Sequence, residues 1–262
     1  MIEREFNLFL VALMFYSRIP VPKTTGYSDI ILNRATRYFP AVGLLIGTLV
    51  ALIFKLFNAV ISTELSIILS MVAGIIITGA FHEDGFADVC DGFGGGYTKE
   101  QRLEIMKDSR IGTYGTIGLI LILLLKFYLL KNLFVLSIPV SLLTSHGLSR
   151  FMPVLLILFS RYSRDDEKSK VKPIGKKISA GGFGFALMMA ILPLFLFKSV
   201  AVFLIIVPAV LISIALMKYF EQRIDGYTGD CLGATQQISE ISIYLSLLFL
   251  MQFGLLELRF QF

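Results

Sequence analysis

Four acidic residues and five glycines are concentrated in residues 82–97, directly after a long apolar run, in a chain with few charged residues. Acidic side chains at the end of a membrane span are costly unless a cation neutralises them. Asp84, Asp88 and Asp91 have the spacing i, i+4 and i+7, which would place their carboxylates on one face of a helix. Because three like charges that close repel, the motif predicts a divalent cation there, and Mg²⁺ accepts carboxylate oxygens together with retained waters.

Two features of the same segment have alternative interpretations. Gly94, Gly95 and Gly96 offer backbone N–H groups that could surround a phosphate oxygen, or they form a turn in a solvated loop. Glu83 points off the aspartate face, and it is either a further group around the metal or an ordinary surface residue.

A second polar block lies just before the next apolar run. Lys107 and Arg110 can hold phosphate oxygens, while Asp108 could complete a metal shell or orient one of the two cations. The alternative is that these basic residues are the anchors commonly found at the cytoplasmic end of a span.

A third block surrounds Asp230, which is flanked by Gly229 and Gly233 and followed by Gln237 and Glu240. A glycine-flanked acid with nearby amide and hydroxyl groups could bind a second metal ion or a sugar hydroxyl. The predicted topology places this block on the same membrane face as the aspartates.

A buried cation is expected within the fourth apolar run, where His146 and Arg150 have the spacing i, i+4. An arginine in hydrocarbon costs several kcal/mol, on the order of 3, unless it is paired or reaches the interface. Arg150 therefore either contacts a substrate phosphate or pairs with an aspartate, and His146 is expected to be a hydrogen-bonded interior residue.

The composition excludes an ordinary soluble domain, because 56% of the residues are hydrophobic and 16% are charged, against about 25% charged in soluble domains. We predict an all-α, polytopic transmembrane bundle that forms a single integral membrane domain over residues 1–262. It has about seven spans and acidic, glycine-rich loops on one face. The apolar runs cover residues 38–60, 65–81, 111–130, 133–159, 183–197, 199–217 and 240–257.

Polar segments interrupt this bundle. Residues 83–110 are predicted to be a loop with one short amphipathic helix, which begins at Thr98 because Thr98 and Gln101 have the spacing of a capping box. No nucleic-acid partner is expected, since the chain has neither an aromatic and basic platform nor a helix-turn-helix pattern.

The orientation follows from the basic residues, because loops rich in Lys and Arg stay in the cytoplasm. With the N-terminus inside, eighteen of the 24 Lys and Arg residues fall in inner segments, and Arg150 falls within a span. The other five fall in outer segments: Lys55, Lys126, Lys131, Lys198 and Arg259. This asymmetry predicts a multi-pass protein of the cell membrane whose acidic segments face the cytoplasm.

These motifs together resemble a known family. Residues 83–96 and 107–115, with further signatures at residues 18–20, 40–43 and 228–234, are similar to the cobalamin synthase family, the adenosylcobinamide-GDP ribazoletransferases. The resemblance covers essentially the whole chain. It implies a Mg²⁺-dependent membrane enzyme that joins adenosylcobinamide-GDP to α-ribazole, or to its 5′-phosphate, and releases GMP. Membrane lipid would surround it, and a homo-oligomer remains open.

Phosphoryl transfer depends mainly on positioning and on charge neutralisation. On this interpretation Asp84, Asp88 and Asp91 hold Mg²⁺ on the diphosphate, with Glu83 and Asp230 as possible further ligands. The cations that would stabilise the phosphate oxygens are Lys107, Arg110 and Arg150, assisted by the amides of Gly94, Gly95 and Gly96. Asp91 or Asp108 would take the proton of the attacking hydroxyl.

Two other functions use similar physics. A CDP-alcohol phosphotransferase also combines membrane aspartates with Mg²⁺, but its aspartate spacing is not met here. A divalent-cation transporter would carry intramembrane acids along an ion path, whereas the acids here are predicted to cluster at one membrane face.

Overall fold

The chain is helical throughout the part that the structure describes. The computed structural model describes residues 2–23, 25–26, 28–163 and 178–256. Its α-helices are α1 (Ile2–Tyr16), α2 (Asp29–Ala35), α3 (Phe39–Asn58), α4 (Thr63–Thr78), α5 (Phe81–Gly95), α6 (Lys99–Ile105), α7 (Thr113–Lys131), α8 (Ile138–Ser149), α9 (Met152–Phe159), α10 (Ala180–Ile191), α11 (Ile206–Ile224) and α12 (Gly229–Gln252). Short 3₁₀ turns cover Thr36–Tyr38, Val135–Ser137, Leu192–Leu196 and Val200–Ile205. The all-α prediction is confirmed.

The number of membrane spans differs from the prediction of seven. Within the described residues, four helical segments are long and apolar enough to cross a membrane: Ile30–Asn58, Thr113–Lys131, Val135–Phe159 and Val200–Ile224. A fifth arises if α4 and α5 count as one broken span. Seven spans are therefore not confirmed, because α4 has only 16 residues and α12 contains many polar residues.

A sharp bend separates α4 from the acidic segment. Gly79 and Ala80 both have left-handed backbone conformations, with φ of +67° and +58°, and the axes of α4 and α5 meet at 87°. The Arg18 side chain packs against Gly79 so closely that a Cβ at Gly79 would overlap it. The Arg18 N–H also donates to the Ile77 carbonyl at 2.7 Å, which ties the end of α1 to the bend.

The prediction that residues 83–110 form a loop with one short helix is wrong. Most of it forms α5 and α6, which are joined by a short turn. The predicted capping box is confirmed: the Gln101 N–H donates to the Thr98 side chain at 3.3 Å, and the Gln101 side chain accepts from the Thr98 N–H at 3.2 Å. The acidic motif is thus held on a regular helix.

Two close helix crossings organise the bundle. At the crossing of α3 and α8, a Cβ on Gly47 would lie 2.9 Å from the His146 Cβ. At the crossing of α5 and α12, a Cβ on Gly85 would lie 3.0 Å from the Asp230 Cα, and one on Gly233 would lie 3.2 Å from the His82 carbonyl oxygen. Helix α12 therefore packs directly against the acidic helix.

Candidate functional site

Helix α5 carries the three predicted aspartates on one side. Asp84 is exposed, while Asp88 and Asp91 are half-buried. The opposite side of α5 is apolar and buried, with Phe86 and Val89 each 9% exposed. The packing of that apolar side leaves the carboxylates of Asp84 and Asp88, one turn apart, at the open edge of the helix.

Asp91 has a different environment from the other two aspartates. One of its carboxylate oxygens accepts from the Gly112 N–H at 2.7 Å, and the other accepts from the Gly115 N–H at 2.8 Å. A carboxylate at a helix N-terminus satisfies amides that have no partner within the helix and interacts favourably with the helix dipole. Asp91 thus holds the first turn of α7, and its roles as metal ligand and proton acceptor stay predictions.

Asp230 is brought to the aspartates by α12. It lies in the first turn of that helix, after the N-cap Thr228, whose hydroxyl donates to the Asp230 carboxylate at 3.2 Å. The close approach at Gly85 places the Asp230 backbone beside the helical turn between Asp84 and Asp88. The backbone of Asp230 therefore lies next to the acidic helix, and convergence of the three carboxylates stays a prediction.

The predicted carboxylate cage is not closed. Over the described ranges, no group of three or more His, Cys, Asp and Glu side chains is arranged to hold a metal ion. Mg²⁺ does not need such a cage, because it usually retains several waters and takes one or two carboxylates. Asp84 and Asp88, one turn apart at an exposed edge, fit that requirement.

The three consecutive glycines lie at the end of a helix. Gly94 and Gly95 belong to the last turn of α5, and the Gly96 N–H donates to the Gly92 carbonyl at 3.0 Å. Gly94 packs on the Tyr114 ring, where a Cβ would come within 2.5 Å of a ring carbon. Gly94 allows α5 to approach α7, and phosphate binding by Gly94, Gly95 and Gly96 stays a prediction.

The turn between α6 and α7 carries the second predicted block. Arg110 donates to Asp108 through Nη2 at 2.6 Å and Nε at 3.0 Å, and the Arg110 side chain is 87% exposed. The hydrogen bonds from Arg110 lower the pKa of Asp108 to about 2. A carboxylate with so low a pKa is a poor proton acceptor, so the predicted role of Asp108 as a general base is not supported by its environment.

Lys107 and Asp108 line an open groove of about 690 Å³. The same groove is lined by Gly95 at the end of α5 and by Glu104 of α6. Because Gly112 and Gly115 contact Asp91, this turn lies at the carboxyl end of the acidic helix, beyond Asp88.

Two predicted site residues point into the bundle instead. Arg150 is 1% exposed, and its Nη1 donates to the His146 carbonyl at 3.0 Å and lies 3.0 Å from His146 Nδ1. Glu83 is 9% exposed and accepts from Gln237 Nε2 at 3.0 Å. Both side chains are engaged inside the bundle, and the phosphate role of Arg150 and the metal role of Glu83 stay predictions. The prediction that His146 is a hydrogen-bonded interior residue is confirmed.

A buried ion pair lies near the middle of α12. Lys126 Nζ of α7 is 2.7 Å from Glu240 Oε1, with side-chain exposures of 10% and 2%. Glu240 also accepts from the Tyr244 hydroxyl at 3.1 Å and from Gln236 Nε2 at 3.0 Å. Lys126, predicted to belong to an outer segment, lies buried within α7. The available signal was its position within an apolar run of residues 111–130.

These polar groups form a connected network that we call the core network, consisting of Glu83, Lys126, His146, Ser149, Arg150, Gln236, Gln237, Glu240 and Tyr244. Gln237 Nε2 donates to both Glu83 and Gln236, and Gln236 donates to the Ser149 hydroxyl at 2.9 Å. A cavity of about 10 Å³, roughly the space of one water, lies among these side chains. The core network joins α5, α7, α8 and α12.

Comparison with known proteins gives a consistent result. The chain matches the family described as cobalamin-5-phosphate synthase over residues 8–248. A Shewanella frigidimarina protein is 46% identical over 249 residues, which are 94% of this chain and 95% of the relative. A Vibrio cholerae protein is 44% identical over 250 residues, 95% of each chain. Both relatives are named adenosylcobinamide-GDP ribazoletransferase. No solved structure matches the chain.

Proposed function

Because this chain belongs to the cobalamin-5-phosphate synthase family and is a transferase of cobalamin synthesis, we propose that it acts on adenosylcobinamide-GDP with Mg²⁺ as cofactor. The acceptor is α-ribazole or its 5′-phosphate, and the products are adenosylcobalamin, or its 5′-phosphate, and GMP. A hydroxyl of the ribazole gives up its proton to water and forms a bond to the cobinamide-linked phosphorus, and the bond from that phosphorus to the bridging oxygen breaks, so that this oxygen leaves with GMP. The names of the relatives and the match over most of the chain support this reaction.

The observation that carries the proposal is the pair of the exposed Asp84 and the half-buried Asp88, one turn apart on α5, with the Asp230 backbone beside them. These carboxylates would hold Mg²⁺ through one or two direct contacts and water, and the ion would neutralise charge on the diphosphate. Gly85 has a structural part in the site, since only a residue without a Cβ lets α12 bring Asp230 this close.

The cations of the turn between α6 and α7 have a supporting role in this proposal. Lys107 lines the open groove, and the Asp108 carboxylate orients the Arg110 guanidinium through its hydrogen bonds. Exposed, oriented cations beside the acidic helix can hold the phosphate of the departing GMP. Asp91 contributes by fixing the start of α7 against α5.

The orientation in the cell membrane is part of the proposal. The excess of Lys and Arg in the segments predicted to be inside supports a cytoplasmic acidic face. Nucleotide-linked substrates would then reach the aspartates from the cytoplasm.

The test is Mg²⁺-dependent GMP release by purified protein in detergent, with adenosylcobinamide-GDP and α-ribazole as substrates. Asp88→Asn is expected to lower the rate by at least about a hundredfold while the protein remains folded. Glu221→Gln, which makes the same change of charge on an exposed residue of α11, is the matched control and should retain the wild-type rate. Near-normal release by Asp88→Asn would refute the role of the acidic helix.

A further inference from the structure

A second cleft lies apart from the aspartates, and most of the charged residues that line it are cations. It has a volume of about 540 Å³ between α1, α2 and the start of α10. The charged residues along its walls are Arg4, Glu5, Arg34 and Arg37. Three guanidinium groups therefore face one carboxylate among the lining residues that the structure describes.

One wall is a single stripe of side chains. Ile30, Asn33, Arg34 and Arg37 have the spacing i, i+3, i+4 and i+7 along α2 and the 3₁₀ turn that follows it. Side chains at this spacing share one face of a helix. The sequence thus aligns two arginines along the same side of the cleft.

The single carboxylate of the cleft is already occupied. Glu5 Oε2 accepts from Arg37 Nη2 at 2.6 Å and from the Tyr38 hydroxyl at 2.8 Å. The hydrogen bond from Tyr38, together with the charges of Arg37 and Arg4, lowers the pKa of Glu5, so it remains ionised at neutral pH. Glu5 thus holds the Arg37 side chain against the wall of the cleft, and the negative charge of Glu5 is balanced by the guanidinium of Arg37.

The other two arginines retain their charge for a ligand. Arg4 and Arg34 are exposed, and neither takes part in an ion pair within the described part of the chain. Arg37 Nε is buried and makes no hydrogen bond to any described residue. Guanidinium groups bind phosphate through paired N–H donors, which makes phosphate the fitting ligand.

The cleft also lies at a defined level of the bundle. Arg37 comes two residues before the start of α3, and Ser179 of the cleft is the N-cap of α10. Two apolar helices therefore begin at the level of the cleft, as expected for the boundary between lipid and water. The ring centroids of Phe39, at the start of α3, and His82, in the first turn of α5, are 5.5 Å apart. The start of α3, next to the cleft, is therefore also next to the start of the acidic helix.

We propose that the cleft between α1, α2 and α10 binds a phosphate group at the membrane surface, through Arg4, Arg34 and Arg37. The ligand is either the phosphodiester of an anionic lipid or a soluble phosphorylated compound. This site is separate from the aspartates, and the inference does not depend on the proposed reaction.

Two probes are titrated into the full-length protein in maltoside detergent, and their binding is measured by calorimetry. The probes are inorganic phosphate and short-chain phosphatidylglycerol, with phosphatidylcholine as the zwitterionic reference. The double variant Arg4→Gln/Arg34→Gln is expected to bind about tenfold more weakly, because two charge-assisted contacts are lost. Arg223→Gln removes an exposed arginine from α11 and should bind as the wild type does.

A variant that should bind the probe more tightly tests whether the weaker binding of the double variant is caused by misfolding. Glu5→Gln removes the one carboxylate from the cleft, so binding of the same probe should become a few-fold tighter.

The outcomes assign the source of the phosphate. Weaker binding of both probes by the double variant identifies a general phosphate site, weaker binding of the lipid alone identifies a head-group site, and weaker binding of phosphate alone identifies a soluble ligand. Equal binding by the wild type and the double variant would overturn the proposal. The proposal would also be overturned if the wild type bound neither probe.

Discussion

Glu83 and Asp84 are consecutive residues of α5 with opposite surroundings. Glu83 points into the bundle, where Gln237 donates to it, and it belongs to the core network. Asp84 is exposed at the edge of the helix, beside Asp88. In the interior, Lys126 balances the charge of Glu240, whereas the carboxylates of Asp84 and Asp88 lie at the edge of the bundle. Burial therefore separates the acids of the core network from those that the proposed function assigns to Mg²⁺.

The largest effect on stability is expected in the core network. Lys126→Met leaves Glu240 charged and buried without its cation, which should lower the free energy of unfolding by about 3–5 kcal/mol. Lys126→Met/Glu240→Gln removes both charges and should recover most of that loss. Unfolding in mixed micelles measures both variants. If Lys126→Met were as stable as the wild type, the ion pair would not stabilise the bundle.

The next effect concerns the crossing that joins the two regions. Gly85→Ala places a Cβ 3.0 Å from backbone atoms of Asp230, so α5 and α12 must move apart. We expect about 1–3 kcal/mol of destabilisation and a higher Mg²⁺ concentration for half-maximal activity.

Gly181→Ala in α10 is the matched control for Gly85→Ala, because no atom of the described residues lies within 4 Å of its added Cβ. It should leave stability unchanged or raise it slightly. Equal behaviour of the two alanine variants in unfolding and in Mg²⁺ dependence would contradict the close crossing.

A smaller effect separates Asp91 from its neighbours. Asp91→Asn keeps one acceptor oxygen but removes the negative charge at the start of α7, which should cost about 1 kcal/mol of stability. Its Mg²⁺ concentration for half-maximal activity should remain that of the wild type. A fall in the Mg²⁺-dependent rate as large as that of Asp88→Asn would support Asp91 as a metal ligand.

The smallest effect is expected at Asp108 and Arg110. The pKa of Asp108 is lowered from 3.8 to about 2 by Arg110, so the stabilisation from this pair is present above pH 3.8 and is lost as the pH falls towards 2. Thermal unfolding of the wild type and of Asp108→Asn should therefore show the same pH dependence from mildly acidic to neutral pH. A difference that grows across that range would place Asp108 in another environment.

Much of the fold could be predicted because its signals are local. Apolar runs indicated the long helices, and the spacing of Thr98 and Gln101 indicated the start of α6. The count of seven spans is not confirmed because hydropathy alone does not detect the bend at Gly79 and Ala80, nor the polar core side of α12.

The site was predictable only in part. The i, i+4 spacing placed Asp84 and Asp88 correctly on one helix face, and it also indicated the contact between His146 and Arg150. The partners of Asp91 and Glu83 lie on other helices, between 21 and 154 positions away. Such contacts depend on the packing of the bundle, and no local pattern encodes them.

The most direct test of the central claim is metal binding to the acidic helix, measured with Mn²⁺ as a spectroscopic substitute for Mg²⁺, since both ions prefer oxygen ligands. Electron paramagnetic resonance of the purified wild type should show bound Mn²⁺ that added Mg²⁺ displaces. Asp84→Asn/Asp88→Asn should abolish this binding, whereas Asp91→Asn should retain it. Mn²⁺ binding that is unchanged in the double variant would contradict the account.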